Sequence, residues 1–162
     1  MTNMKMKRAY FITCTDTGVG KTAVTCGLAR ALRSSGIDTG VMKPVETGCP
    51  SVGGSLMPRD ALKLKEASGS LDALDLINPY RFPSPLAPET ASRNDGVTIE
   101  FEKIKASFEA LSQTHEAVLV EGAGGLLVPI SKGRSMADLA LYLGLPVIIV
   151  ASNRLGVINH TL

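Results

Sequence analysis

Thr13-Cys14-Thr15-Asp16-Thr17-Gly18-Val19-Gly20-Lys21-Thr22 is the stretch that decides how this chain folds. An apolar run, Ala9-Tyr10-Phe11-Ile12, leads into it, and good helix formers from Ala23 to Ser34 lead out. A strand, a glycine-bearing loop and a Gly-Lys-Thr that opens a helix form the layout of a phosphate-binding P-loop. Glycines let backbone N–H groups converge on a phosphate with no Cβ in the way. The helix start adds partial positive charge at the same spot. Lys21 brings a full charge, and the Thr22 hydroxyl is placed to ligate Mg²⁺. One position departs from the usual spacing: Thr15 stands where the first glycine belongs. The bland alternative is a glycine-rich turn before an ordinary helix, and the flanking strand and helix weigh against it.

Outward from this loop, strand and helix signals alternate. The pattern predicts a strand over 8–14, a helix over 22–34 ended by Gly36, and a strand over 39–43. A Gly/Pro/Ser-rich loop follows over 48–58, then a short helix over 59–68. The proline-dense segment 78–88 reads as a loop or edge piece. Ile99, Phe101, Ile104, Phe108 and Leu111 recur at helical spacing, which predicts a helix over 98–112. A buried strand over 117–120 ends at Glu121. A helix over 135–143, a Val/Ile strand over 146–151 and a helix from Gly156 or Val157 complete the chain. Continuous apolar strands alternating with helices predict an α/β fold with a P-loop NTPase-like, mostly parallel sheet and helices on both faces.

The 162 residues read as one domain, 44% hydrophobic and 20% charged, with no Trp. A net charge of +2 points to neither nucleic acid nor membrane as a partner. The basic run Lys5-Met6-Lys7-Arg8 is not read as a signal peptide, because the apolar stretch after it is short and enters the P-loop directly. Gly144 and Pro146 break the longest apolar region, 139–151, so it is not expected to span a bilayer. Cys14, Cys26 and Cys49 have no metal-ligand spacing and read as reduced thiols of a cytoplasmic protein. Cys14 reads as a small buried hydrophobe beside the loop. His115 and His160 read as structural or surface residues. The last helix runs for only one or two turns before Leu162, so the sequence reads as the N-terminal part of a longer protein.

Ligands of open α/β sheets bind at the carboxyl ends of strands. Those ends carry the P-loop, Lys43-Pro44-Val45-Glu46-Thr47-Gly48, Glu121-Gly122-Ala123-Gly124-Gly125 and Ser152-Asn153-Arg154-Leu155-Gly156. Glu121 stands like a Walker B acid that faces Mg²⁺. The alternative is an exposed strand-end charge, and the small residues after it argue for a ligand approaching the backbone. Asp60 reads equally as a second acid for the metal or as an acid complementing a helix dipole. Lys43 and Lys21 bring two cations to one site, suited to charge developing on phosphate and a carboxylate-like intermediate.

Five blocks together carry a resemblance. They are Thr-Asp-Thr-Gly-Val-Gly-Lys-Thr at 15–22, Lys-Pro-Val-Glu-Thr-Gly at 43–48, Asn-Pro-Tyr at 78–80, Val-Glu-Gly-Ala-Gly-Gly at 120–125 and Leu-Gly-Val-Ile-Asn-His-Thr-Leu at 155–162. In their order and spacing they resemble the dethiobiotin synthetase family. The resemblance implies ATP- and Mg²⁺-dependent ring closure of 7,8-diaminononanoate with CO₂ or bicarbonate. An amine is carbamylated, ATP phosphorylates the carbamate, and the second amine closes the cyclic urea. By the same resemblance Lys43 and Lys21 are catalytic, and Thr22, Asp60 and Glu121 match the metal positions. Gly18, Val19, Gly20, Lys21, Thr22, Ala23, Asp60, Glu121, Gly122, Ala123 and Gly124 match nucleotide contacts. Thr17 and Thr47 match substrate contacts. So do Gly156, Val157, Ile158 and Asn159, which serve the neighbouring subunit's site in a homodimer. Cys14 departs from the glycine common there, and the family continues beyond Leu162. A partition or metallochaperone-type ATPase switch is the competing reading; it expects a lysine where Thr15 stands. A nucleotide-binding module without turnover is a third.

Overall fold

The computed structural model describes residues 8–161, apart from the side chain of His160. Lys5, Met6, Lys7 and the reading of the His160 side chain therefore lie outside the described part. In chain order the elements are β1 (Arg8–Cys14), α1 (Lys21–Ser34), β2 (Thr39–Met42), β3 (Val45–Thr47), β4 (Ser51–Val52), β5 (Ser55–Leu56), α2 (Arg59–Ser68), α3 (Leu74–Ile77) and β6 (Tyr80–Phe82). Then come α4 (Pro88–Asn94), α5 (Phe101–Thr114), β7 (Ala117–Glu121), β8 (Pro129–Ser131), β9 (Arg134–Ser135), α6 (Met136–Leu143), β10 (Val147–Val150) and α7 (Val157–Thr161).

The central sheet has the order β10-β1-β7-β2, and all its neighbours are parallel. β-branched and aromatic residues fill these strands, and alternate side chains point to opposite faces. Phe11, Met42, Val118 and Val120 face α5 and α6, packing with Ile104, Leu111, Met136 and Leu139. Ile12, Val41 and Leu119 face the other way, against α1 and α2 with Ala29, Ala61 and Leu64. Two apolar layers on one sheet are what the continuous apolar strands foretell. At β10 the cover is one-sided: Ile148 and Val150 pack toward α1, whereas Val147 and Ile149 stay 40% and 44% exposed. Among the described residues no helix is long and apolar enough to cross a membrane.

Several elements differ from the sequence reading. The helix of 98–112 starts later, at Phe101. Ile99 is buried ahead of it, and the Glu100 amide donates to the Tyr80 hydroxyl at 3.0 Å, which holds that residue extended. The proline-dense segment contains both β6, paired in parallel with β3, and the helix α4, which begins on Pro88. Proline at a first helical position loses nothing, because that amide has no partner within the helix. The loop over 48–58 folds into the small hairpin β4–β5. Strand 39–43 stops at Met42 because the chain turns at Lys43, whose amide donates to Ile77 O at 2.7 Å.

Candidate active site

β1 delivers the P-loop at the carboxyl end of the sheet. Thr15 continues the ladder by one bond, its amide donating to Val150 O at 3.1 Å. The chain then wraps to Gly20, the N-cap of α1, which sits at φ 96°. A side chain there would be strained, and glycine is not. No side chain caps α1, and its first turn holds no acid. By contrast, Ser135 and Asp138 form a capping box on α6. Free amides at the N-terminus of α1 suit an incoming anion.

Two other strand ends and the start of α2 meet this loop. Glu121 closes β7 with no exposed surface. Its Oε1 accepts from Lys43 Nζ at 2.7 Å and from the Thr22 hydroxyl at 2.9 Å, and Lys21 Nζ stands 3.5 Å away. Lys43 Nζ also donates to Gly122 O at 3.3 Å and lies 3.5 Å from Asp60 Oδ2. Thus Lys43, Lys21, Thr22, Asp60 and Glu121, distant in sequence, gather at one place.

The charges are unequal. Burial opposes ionisation of Glu121, but Lys43 and Lys21 outweigh it and hold its pKa below the ordinary range. Burial also disfavours charge on Lys43; Glu121 and Asp60 more than reverse this, and its pKa is raised. Lys21 goes the other way, lowered by burial and then by the Lys43 ammonium. Lys43 is therefore matched by carboxylates, and Lys21 is the cation with charge to spare. Glu121 Oε2 is buried and has no hydrogen-bond partner. A buried carboxylate oxygen left orphaned beside two cations is costly in a closed core and expected where a ligand completes the set.

A cavity of about 370 Å³ opens above these groups. Thr17, Gly18, Gly20, Lys21, Thr22, Ala23, Lys43, Thr47, Asp60, Ala123 and Gly124 all border it. Val19 packs toward the core on the α1 side of the sheet, and Glu121 lies beneath the cavity floor. A second cavity of about 700 Å³ adjoins it, lined by Thr13 to Thr17, 125–129, Ile149 and Thr161. Thr17 and Cys14 separate the two. Gly156, Val157, Ile158 and Asn159 border neither cavity, although Arg154 Nη2 ties their segment to Asp16 Oδ2 at 3.5 Å. Leu155 and Ile158 are strongly exposed.

The small residues after Glu121 have a reason other than ligand approach. A Cβ on Gly122 would meet the Phe11 ring at 3.0 Å, and one on Gly125 the Cys14 carbonyl at 3.2 Å. Packing of the loop onto β1 excludes larger side chains there. Cys14 is buried, and its thiol donates to Gly124 O at 3.2 Å. His115 is a half-buried strut at the opposite end of the sheet, with both ring nitrogens engaged by Asp38 and Asp72.

Two residues of the site escape a reading by motif roles. Asn78 Nδ2 donates to Lys43 O at 2.7 Å and Tyr80 O at 3.0 Å, pinning the backbone that carries the lysine. Glu46 accepts from the amides of Asp60 and Ala61, each at 2.9 Å. Asn78 stood in a family block, and Glu46 beside Lys43. Each acts on a segment far away in sequence, for which periodicity carries no signal.

Comparison with known proteins finds relatives along nearly the whole chain. A family model described as an AAA domain matches residues 8–162. A relative from Anaeromyxobacter dehalogenans strain 2CP-C, named ATP-dependent dethiobiotin synthetase BioD, is 49% identical over 154 residues, covering 95% of this chain and 67% of its own length. Proteins of the same name from Thermodesulfovibrio yellowstonii and Aromatoleum aromaticum are 44% and 43% identical, covering 97% and 98% of this chain and 68% and 71% of their own length. At this identity and coverage, the chain belongs to the dethiobiotin synthetase family.

Proposed function

We propose that the site performs the ATP-dependent closure of 7,8-diaminononanoate with CO₂ or bicarbonate into a cyclic urea. The observation that carries this reading is the convergence of the Lys21 and Lys43 ammonium groups on one buried carboxylate below an open, oxygen-lined cavity. Two ammonium groups fixed at one place favour a reaction in which negative charge spreads over transferring phosphate and carbamate oxygens. Lys21 meets the terminal phosphates with the free amides of α1. Lys43, held from behind by Asn78, faces the carbamate and the transferring phosphoryl group. Thr17 and Thr47 line the wall where the diamine lies against them. Positioning is the main contribution asked of the chain, since the amines themselves are the nucleophiles.

Mg²⁺ fits this donor set. The Thr22 hydroxyl, Glu121 and Asp60 offer hard oxygens, and the orphaned Glu121 Oε2 needs a partner. Among the described residues no cluster of three His, Cys, Asp or Glu side chains encloses a metal, so phosphate and water complete the shell. The ion, when bound, neutralises phosphate charge. The Lys43 ammonium lies between the two carboxylates, 2.7 Å from Glu121 and 3.5 Å from Asp60.

The assembly of this reading is a homodimer in the cytoplasm, with residues 1–162 as a single P-loop α/β domain. The backbone at Gly156, Val157, Ile158 and Asn159 holds the substrate carboxylate for the neighbouring subunit, which suits their position away from the Lys43 cavity. Mixing Val157→Glu with Lys43→Ala tests this. Restored activity is expected, because one mixed site carries both lesions and the other none; no recovery despite subunit exchange overturns it. The reaction itself is tested with ATP, Mg²⁺, bicarbonate and the diamine. ADP and the cyclic urea are expected together, whereas ATP turnover without diamine and without urea would favour an ATPase switch.

A further inference from the structure

Glu46 is a buried carboxylate for which the reaction above has no use. It stands on β3, three residues past Lys43, and is only 6% exposed. Burial raises its pKa, and hydrogen bonds from the Asp60 and Ala61 amides pull against that rise. Oε1 accepts the Asp60 amide and Oε2 the Ala61 amide, so both oxygens are spent on the first turn of α2.

That turn has no cap of its own. Pro58 occupies the N-cap position, and no side chain there accepts a hydrogen bond. The first amides of a helix need an acceptor, and a carboxylate also complements the helix dipole. The chain between β3 and α2 is anchored at its start, where the Gly48 and Cys49 amides donate to Ser84 O and Phe82 O, and at buried Pro58, which offers α2 no side-chain acceptor. Its hairpin β4–β5 is exposed, except for a half-buried Leu56, and is closed back on itself through the Met57 amide and Pro50 O. Asp60 is the second residue of this helix, and its own carboxylate, 36% exposed, faces Lys43 across the cavity.

We propose that Glu46 is a positioning residue: it caps α2 from the neighbouring strand and thereby fixes the Asp60 carboxylate at the phosphate site. One strand segment then sets both partners of the Lys43–Asp60 pair, Lys43 at its start and Asp60 through Glu46. The inference rests on the reading of Asp60 as a metal-facing acid. An ordinary N-cap lies next to its helix in sequence, whereas this one reaches across fourteen residues, so movement of β3 is felt at Asp60.

The test compares Glu46→Ala and Glu46→Gln with the unaltered protein by amide hydrogen exchange, without nucleotide. Exchange at Asp60 and Ala61 should quicken by about tenfold in Glu46→Ala, the scale of a lost helix cap, with α1 unchanged. Glu46→Gln keeps one good acceptor and should fall between. The Mg²⁺ concentration needed for half-maximal ATP binding should rise by a similar factor, with ATP affinity in EDTA nearly unchanged. Unchanged exchange at 60 and 61, or equal loss of affinity with and without Mg²⁺, overturns the inference. Asp60→Asn separates the two claims. If it leaves the Mg²⁺ requirement unaltered, the metal role of Asp60 falls, while the exchange result still judges the hold of Glu46.

Discussion

The two ends of the central sheet carry opposite charge arrangements. At the carboxyl end, two lysines share one buried carboxylate, and a carboxylate oxygen is left without a partner. At the amino end, one imidazole lies between two carboxylates: His115 Nδ1 is 3.0 Å from Asp38 Oδ2, and Nε2 is 2.8 Å from Asp72 Oδ2. Asp72 is further held by Ser70, and its carbonyl accepts from Lys65 Nζ at 2.6 Å. The amino-end cluster is complete within itself, and its imidazole is spent on structure. The carboxyl-end cluster has an unpartnered carboxylate oxygen, an uncapped helix N-terminus and an open cavity. Both ends hold buried or half-buried charged side chains, so burial of charge does not distinguish a working site from a strut. An unpartnered carboxylate oxygen beside an open cavity and an uncapped helix start does.

Removing the cation that faces the reaction should do the most damage. Lys43→Ala is expected to lower kcat by on the order of 10²–10³, since its charge acts mainly in the transition state. Single-turnover kinetics at saturating substrates check this, and near-normal turnover would deprive the carboxyl end of its catalytic meaning. Lys21→Ala comes next. Loss of a charge-assisted contact should weaken ATP binding by roughly 10- to 100-fold in calorimetry, alongside turnover.

At the amino end the effects should fall on stability alone. Burial opposes protonation of His115, but hydrogen bonds to Asp38 and Asp72 prevail and raise its pKa. A raised folded value means that the stabilisation is fully present below the unfolded value near 6.5. It is lost as pH rises through the folded value. Denaturant midpoints should therefore decline over that window in the native protein and stay flatter in His115→Gln, which should cost about 1–2 kcal/mol at low pH. ATP binding should be untouched; a loss of activity without a loss of stability would erase the contrast between the ends. The smallest effect is expected from Gly40→Ala. Its Cβ would come within 2.6 Å of the His115 ring, forcing that ring to shift. A cost of about 1 kcal/mol follows from such overpacking, measurable as a lower melting temperature.

The parts read correctly from sequence share a property. The P-loop, Lys43 and Glu121 are legible because each follows an apolar run at the end where ligands of parallel sheets lie. Helices α2 and α6 fall within a residue of the bounds read from the sequence, 59–68 and 135–143. Within the proline-dense segment the edge reading fits β6, which pairs with β3 alone, whereas α4 was not foreseen: it is short, starts on Pro88 and relies on its packing against β8. The run of small residues after Glu121 points to a ligand, yet Phe11 and the Cys14 carbonyl already explain Gly122 and Gly125.

Sequence by itself determined the family, the parallel α/β architecture and the phosphate-facing loop, because those follow from local propensity, periodicity and adjacent motif chemistry. Only the tertiary structure decided which polar groups are spent and which remain open. His115, Glu46 and Asn78 are as polar in the sequence as Lys21 and Glu121. Their partners stand 77, 14 and 35 residues away, brought close by packing of the helices and of β6 around the sheet. Whether a buried charge is satisfied depends on distances of a few ångströms across the fold, and no local pattern encodes such a distance.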